Sequence, residues 1–412
     1  MRNRHPELLI PASSLEVLKT AVMFGADAVY IGGEAFGLRA KAKNFSMEDM
    51  KEGVQFAHEH GARVHVTVNI LAHNDDLEGA AEYLKELKEI GPDALIIADP
   101  AIFMLAKEIC PEIERHVSTQ ANNTNYGTFN FWWNLGAKRV VTARELSLKE
   151  IREIRAHIPA EMEIESFIHG AMCISYSGRC LLSNFFTGRD ANQGACTHPC
   201  RWKYSVVEET RPGEYMPVYE NERGTYIFNS KDLCMIEHIP EMIDAGIDSF
   251  KIEGRMKTAL YVATVARTYR KAIDDYLEDP KKYEANMPWY RDQISNCTYR
   301  QFTTGFYFGK PGDESQIYDS NTYIKEYTYL GIIGGIKDDM YRIEQRNKFS
   351  VGETVEIMKP DGQNVEVTVE KIIDEDGQEQ ESAPHPKQVL YVALSGEASV
   401  YDILRRQEGV TE

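Results

Sequence analysis

Five of the seven cysteines are gathered in one part of the chain, where their thiols could bind a metal together. They form the series Cys173-x6-Cys180-x15-Cys196-x3-Cys200-x33-Cys234, and Cys110 and Cys297 lie far away on either side. We expect no export signal, because the first seven residues lack an apolar core. In a cytoplasmic chain, clustered thiols bind a soft metal more often than they form disulfides.

The spacing of these thiols leaves the identity of the metal open. Four thiolates from separate turns could hold an iron–sulfur cluster or a structural zinc ion. The series contains neither a pair of Cys-x2-Cys knuckles nor a Cys-x2-Cys-x2-Cys run. A third interpretation is that the cysteines are buried free thiols, which behave as small apolar side chains.

Polar residues at predicted strand ends are further candidates for a site. Gln120, Asn122 and Asn123 form an amide-rich strand end that suits a polar ligand, although solvated loop amides are the alternative. His169 stands close to Cys173 in sequence and could contact a substrate or a metal centre, but a structural role is as common for such a histidine.

Charged residues alternate along Phe-Lys-Ile-Glu-Gly-Arg, which spans residues 250–255. Lys251 and Glu253 share one face of a strand, and Arg255 follows two residues later. If that face is a barrel interior, the charges are buried, and they form either an ion pair or part of an active site.

The overall charge limits how the chain could bind nucleic acid. Its net charge of −18 at pH 7 argues against non-specific polyanion binding by the whole surface. A local basic patch could form on the predicted strand-end loops, and the alternative is a spread of solvated charges. The residues concerned are Arg39, Lys41, Lys43, Arg144, Arg179, Arg189, Arg201 and Lys203.

The pattern of glycines and apolar runs predicts a (β/α)8 barrel. Five helical stretches each end in a glycine that is followed by a run rich in Val and Ile. Eight strands alternating with helices are typical of such a barrel, and a doubly wound sheet is the alternative. The predicted strands are Leu8–Pro11, Ala28–Gly32, Val64–Asn69, Ala94–Asp99, His116–Gln120, Arg139–Arg144, Glu163–Gly170 and Ser249–Gly254.

Two further regions complete the predicted organisation of an α/β protein. Residues 171–222 interrupt the strand spacing as a cysteine-rich insertion in a core of residues 1–320, and a loop of this length is usually functional or disordered. Residues 324–408 change to short β segments, which predict a small all-β C-terminal barrel or sandwich. No apolar run reaches the roughly 18 residues that cross a bilayer, so we expect no membrane association.

The segment 165–183 resembles the signature of the U32 peptidase family at every fixed position. It reads Glu-Ser-Phe-Ile-His-Gly-Ala-Met-Cys-Ile-Ser-Tyr-Ser-Gly-Arg-Cys-Leu-Leu-Ser. The resemblance extends to residues 32–39, 192–202, 230–234 and 251–256 and covers nearly the whole chain, including its C-terminal β domain.

The resemblance implies a [4Fe–4S] cluster as cofactor. Family members that act in oxygen-independent ubiquinone hydroxylation are taken to hold one on four cysteines. Carried over by position, those ligands are Cys173, Cys180, Cys196 and Cys234, with Cys200 as a competing ligand in place of Cys196. Zinc on the same cysteines is the alternative.

The resemblance also implies a function in tRNA modification. Some family members take part in the prephenate-dependent formation of 5-hydroxyuridine at the tRNA wobble position. We therefore expect tRNA and prephenate, or a related small molecule, as partners, and a protein partner or homo-oligomer stays open. The expected substrate contacts are Arg39, Gln120, Asn122, His169, Lys251, Glu253 and Arg255.

A peptidase is the alternative function. The family name reflects collagenase-like activity of some members. The sequence, however, contains no His-Glu-x-x-His helix and no Gly-x-Ser-x-Gly elbow. Hydrolysis would also require residues other than the cysteines, because four thiolates on zinc leave no open position for water.

Overall fold

The computed structural model describes residues 5–37, 44–173, 175–191, 195–202, 205–207, 215–217, 231–297, 301–311 and 327–408. The chain forms two compact units. The first comprises residues 1–22, 26–257 and 300–322, and the second comprises residues 23–25, 258–299 and 323–412. Residues 258–299 therefore group with the C-terminal β domain.

The first unit is built on one large sheet and a small hairpin. The strands are β1 (Glu7–Pro11), β2 (Ala28–Gly32), β3 (Arg63–Val68), β4 (Ala94–Ile97), β5 (Glu114–Val117), β6 (Arg139–Val141), β7 (Glu163–Gly170), β8 (Ser205–Val207), β9 (Tyr215–Pro217), β10 (Asp232–Cys234), β11 (Ser249–Ile252) and β12 (Phe302–Thr303). Strands β8 and β9 form the hairpin.

Eight of these strands close into a parallel barrel. Strands β1 to β7 pair in sequence order, and β11 pairs with both β7 and β1. The predicted (β/α)8 barrel is therefore confirmed, and the doubly wound alternative is wrong because these eight strands leave no open edge. Strand β10 pairs antiparallel with the end of β7, and β12 pairs with β10.

Helices follow most of the barrel strands. They are α1 (Leu15–Met23), α2 (Met47–Glu59), α3 (Asn74–Ile90), α4 (Pro100–Ile109), α5 (Tyr126–Leu135), α6 (Leu148–His157), α7 (Leu182–Thr187) and α8 (Ile239–Asp244). Their ends follow the local sequence. At the start of α6, for example, Ser147 and Glu150 form a capping box.

Strand β3 shows how the sequence fills both sides of the barrel wall. Its side chains alternate, so Val64, Val66 and Val68 lie on one face and are fully buried. Polar side chains occupy the other face, where they contact residues of other barrel strands. The barrel interior is consequently polar at several levels.

The described residues of the second unit form three helices and a closed antiparallel barrel. Its elements are α9 (Ala259–Glu278), α10 (Pro280–Ala285), α11 (Met287–Ser295), β13 (Tyr327–Lys337), β14 (Met340–Gln345), β15 (Thr354–Met358), β16 (Asn364–Asp374), β17 (Glu379–Gln380), β18 (Val389–Leu394) and β19 (Ile403–Gln407). The order β15–β19–β13–β14–β18–β16 closes through β15 and β16, around a core that includes Leu330, Phe349 and Leu404.

Candidate metal centre and barrel mouth

An ion-pair network lies inside the barrel, between the amino-terminal ends of the strands and their middle. Arg139, which is 2% exposed, donates to Glu7, Glu163 and Glu165 from its guanidinium group. Lys251 donates to the other oxygen of Glu165 at 2.6 Å. Burial alone would raise the pKa of Glu165, but the charges of Lys251 and Arg139 outweigh it and lower that pKa.

Two histidines lie beside this network. The rings of His65 and His116 contact each other edge to face, with centroids 4.8 Å apart, and both are fully buried. Burial lowers the pKa of each well below its usual value, so both imidazoles are neutral. With Glu165 they offer three possible metal ligands within 4.8 Å of one another. Because Lys251 and Arg139 already neutralise Glu165, we assign this trio to the structural network.

The mouth at the carboxyl ends of the strands holds several predicted site residues. Arg255 is 6% exposed and donates to Thr67 Oγ1 at 3.0 Å at the end of β3. Gln120 lies in a 3₁₀ turn after β5, where its Oε1 accepts from Asn69 Nδ2 at 3.2 Å. Arg255 and Gln120, two of the predicted substrate contacts, thus both lie at the end of β3.

Lys251 lies on β11, which ends at Ile252, so Glu253 follows the strand, and the two side chains have different partners. Lys251 turns to Glu165 and lies over the ring of Tyr30, with 4.5 Å from Nζ to the centroid. Glu253 instead accepts from Arg144 Nη2 at 3.3 Å. Lys251 thus belongs to the interior network, whereas Glu253 and Arg144 lie at the mouth.

The first cysteine-rich turn lies over the end of β5. Asn122 adopts a left-handed conformation, with φ of 54°, and its Nδ2 donates to the carbonyl of Ser177 at 3.1 Å. Gly178 lies so close to Gln120 that a Cβ there would be 3.3 Å from the glutamine side chain. These contacts place the turn between Cys173 and Cys180 at the barrel mouth.

Cys234 reaches the same end of the barrel through the reversed strand β10. In its pairing with β7, Cys234 lies opposite His169, and Leu233 lies opposite Gly170. Cys173 follows Gly170 by three residues. His169 is 1% exposed, and burial together with the charge of Lys257 lowers its pKa to about 3, so its ring is neutral.

A short network joins helix α7 to the turn that carries Cys196. Ser183 Oγ accepts from the backbone N–H of Thr197 at 3.0 Å. The backbone N–H of His198 donates to Cys196 Sγ at 3.4 Å. Helix α7 begins two residues after Cys180. The turns that carry Cys180 and Cys196 are therefore both attached to this short helix.

The five thiols suit a metal centre in type and exposure. Cys173 and Cys196 are exposed, and Cys180, Cys200 and Cys234 are partly exposed. Tetrahedral zinc with 2.3 Å bonds would hold four thiolates about 3.8 Å apart. A four-iron cluster takes one thiolate at each iron and therefore fits a wider donor set.

The two remaining cysteines are unlike these five. Cys110 and Cys297 are fully buried, and each donates its thiol to a backbone carbonyl. Burial raises the pKa of Cys110 to about 11, which keeps it a protonated thiol.

Some predicted residues fall outside the part of the chain that the structure describes. They are Arg39, Lys41, Lys43 and Lys203, together with parts of the 171–222 insertion. Other mouth and interior residues escaped the sequence prediction, namely Thr67, Asn69, His65 and His116. The available signal for His65 and Thr67 was the alternation of polar residues with valines along β3. Strand β5 reads Glu-Arg-His-Val and gives no such signal for His116.

Two family models match the chain in succession. The model of peptidase family U32 matches residues 13–317, and that of the U32 C-terminal domain matches residues 325–405. The chain belongs to peptidase family U32.

Curated U32 relatives align with most of the chain. It is 43% identical over 405 residues to tRNA hydroxylation protein P1 of Bacillus subtilis, covering 98% of this chain and 95% of the relative. It is 39% identical to tRNA hydroxylation protein P of Escherichia coli, with coverage of 92% and 91%. The 23S rRNA 5-hydroxycytidine C2501 synthase of Escherichia coli is 41% identical over 66% of this chain and 40% of its own length.

The described helices include no candidate for a membrane crossing. Among the described residues, no helix combines the length and the apolar character that a bilayer crossing requires.

Proposed function

We propose that this U32 protein hydroxylates a pyrimidine base of RNA, converting the wobble uridine of certain tRNAs to 5-hydroxyuridine. The 43% identity to tRNA hydroxylation protein P1 over 98% of the chain carries this proposal. The relative named for 5-hydroxycytidine synthesis supports a pyrimidine as the target. The polar mouth beside the cysteines offers a place for such a base.

The proposed cofactor is a [4Fe–4S] cluster. Its ligands would be Cys173, Cys180, Cys234 and one of Cys196 and Cys200. Bound there, a cluster would supply electron transfer, which amino-acid side chains do not provide. The full or partial exposure of the five thiols supports a metal centre on them, and the resemblance of the cysteine signature to cluster-bearing family members favours a cluster over zinc.

Amide and cationic groups of the mouth would position the small reactants. The uracil edge carries two carbonyl oxygens and an N–H, and the amides of Asn69 and Gln120 offer both donors and acceptors. Arg255 is a buried cation in the same mouth and would bind a carboxylate of prephenate. The ion pair of Glu253 and Arg144 would place one negative and one positive charge beside these groups.

The first prediction concerns the thiols. In cells that lack the chromosomal copy, Cys173→Ala should abolish 5-hydroxyuridine in tRNA, because the cluster loses a ligand. Cys110→Ala is the matched control and should keep the modification, since that thiol is buried and bonded within its own helix turn. Mass spectrometry of tRNA nucleosides measures the outcome, and full modification with Cys173→Ala would contradict the proposal.

Metal analysis separates the proposed cofactor and function from their alternatives. Protein purified without oxygen should contain about four iron and four sulfide per chain, as a [4Fe–4S] cluster requires. Zinc without iron or sulfide would exclude the cluster. Gelatin cleavage that survives substitution of Cys173 would favour the peptidase alternative.

A further inference from the structure

The cysteine-rich segment exposes an unusual number of apolar rings. Phe185 is 82% exposed, and Phe186 and Trp202 are each 44% exposed. Their rings form a continuous group, with centroids 5.2 Å apart between Phe185 and Phe186 and 6.3 Å apart between Phe186 and Trp202. Leu181 adds a fourth exposed side chain at 68%. Exposed apolar groups of this kind mark interaction sites.

The charge of this segment is opposite to that of the whole chain. Residues 171–202 contain three arginines and one aspartate, a net charge of +2, whereas the chain carries −18. Arg179 and Arg189 are exposed. The segment thus offers a local attraction for a polyanion that the chain as a whole does not.

The segment also borders the barrel mouth. Its turn at Ser177 and Gly178 contacts Asn122 and Gln120 after β5. The exposed rings therefore lie on the same short segment as Cys173, Cys180, Cys196 and Cys200. A macromolecule held by these rings would have one of its groups close to the thiols.

Rings beside arginines suit unpaired nucleotides. Single-stranded RNA binds through stacking of its bases on aromatic side chains and through pairing of its phosphates with cations. A base must also leave its stack before an enzyme can act on it. Duplex RNA hides the faces of its bases, so it could not use these rings in this way.

We infer that Phe185, Phe186 and Trp202 form a stacking platform for unpaired anticodon-loop nucleotides that flank the target uridine, with Arg179 and Arg189 on their phosphates. This inference rests on the proposed function in tRNA hydroxylation. It names the surface that would bind the RNA, and it predicts that this surface selects unpaired nucleotides.

Binding of a fluorescein-labelled anticodon stem-loop RNA to the cluster-containing full-length protein tests the platform. Fluorescence anisotropy should show that Phe185→Ala and Trp202→Ala each weaken binding about 5- to 150-fold, as expected for the loss of one stacked base. Phe185→Trp should keep the wild-type affinity, because tryptophan also offers a flat ring on which a base can stack. Iron content should stay at the wild-type level in all three variants.

Phe131→Ala is the matched control. Phe131 is 55% exposed on α5 and lies outside the cysteine-rich segment in sequence, and its loss should leave RNA affinity unchanged. A fully base-paired RNA of similar length should bind more weakly than the stem-loop and should not respond to Phe185→Ala.

The outcomes distinguish the platform from the function on which it rests. Wild-type protein that binds no anticodon RNA and forms no 5-hydroxyuridine would overturn both. Wild-type modification combined with unchanged affinity in the Phe185 and Trp202 variants would overturn the platform alone. Variants that lose modification in cells but bind RNA normally would assign the rings to a different macromolecule and would also overturn the platform.

Discussion

At the level of single residues, Glu165 occupies the central position of the barrel interior. It accepts from Lys251 on one oxygen and from Arg139 on the other, and it is fully buried. Both cations are themselves at most 5% exposed. The carboxylate therefore compensates two charges that have no access to bulk water.

Replacement of Glu165 should be strongly destabilising. Glu165→Gln keeps the shape but removes the carboxylate that pairs with the buried Lys251, whereas Arg139 keeps Glu7 and Glu163. Breaking a buried ion pair costs about 3–5 kcal/mol. Urea denaturation followed by circular dichroism measures the loss. Glu82→Gln is the control, because Glu82 is exposed in its pair with Lys85 and should change stability by less than about 1 kcal/mol. Equal effects of the two substitutions would refute a central role for Glu165.

At the level of elements, Gly170 joins the last part of β7 to the loop that carries Cys173. Its φ is +108°, and a Cβ there would lie 2.5 Å from the carbonyl oxygen of Glu253. The backbone N–H of Glu253 donates to the carbonyl of the neighbouring His169 at 2.8 Å. The ends of β7 and β11 thus lie so close together at residue 170 that only glycine fits there.

Gly170→Ala should separate these two strand ends and displace the start of the cysteine loop. We expect a loss of about 1–3 kcal/mol from backbone strain, with further loss from the clash. We also expect a lower iron content. Gly61→Ala is the control, because Gly61 also has a positive φ but its Cβ would meet nothing within 4 Å. Thermal melts and iron analysis should show the larger effect at Gly170, and equal effects would rule out the close approach.

The regular elements of the barrel could be predicted, because buried Val- and Ile-rich runs between glycine-capped helices have few alternative structures. The reversed strand β10 could not, since it has three residues and depends on pairing with β7. Strand β19 lies within the predicted β region, but its burial could not be predicted, because Arg405 and Arg406 suggest an exposed segment. In the structure Arg405 is fully buried, with Nε donating to Glu356 at 2.6 Å and the guanidinium 4.0 Å from the centroid of Tyr327.

The sequence could indicate candidate residues for the site but not how they are arranged. The alternation of Lys251 and Glu253 indicated a shared face, but the partner Glu165 is 86 residues away in sequence. The left-handed turn at Asn122 separates neighbouring amides. Asn122 binds the cysteine loop, whereas Asn123 accepts from Trp132 on α5 at 2.9 Å. Sequence patterns do not reveal such long-range contacts.

At the level of the whole molecule, the division into two units groups α9 and α11 with the C-terminal barrel. Arg267 on α9 is 2% exposed, and it donates to the carbonyl of Lys359, to Asn364 Oδ1 and to Gln293 on α11. Burial and the nearby charge of Arg405 lower the pKa of Arg267 to about 9. One side chain therefore ties two helices to the β15–β16 hairpin.

Arg267→Met should loosen the second unit selectively. Several acceptors lose their donor, and each unsatisfied buried group costs about 1–3 kcal/mol. Hydrogen exchange measured by mass spectrometry should show faster exchange in β15 and β16, with barrel peptides unchanged. Arg152→Met, which removes a 44% exposed cation from α6, should leave both units as in the wild type. Unaltered exchange in β15 and β16 of the Arg267 variant would contradict this grouping.

The chain path between the two units also affects how the protein is synthesised. Strand β12 pairs with β10, and Tyr307 donates to the carbonyl of Phe167 on β7, so the wall beside Cys234 needs residues made after α9 to α11. Phe302 leaves the ribosome roughly 130 residues after Cys173, a delay on the order of ten seconds. The thiols are thus made while the barrel is still incomplete, so they need protection from oxidation during translation.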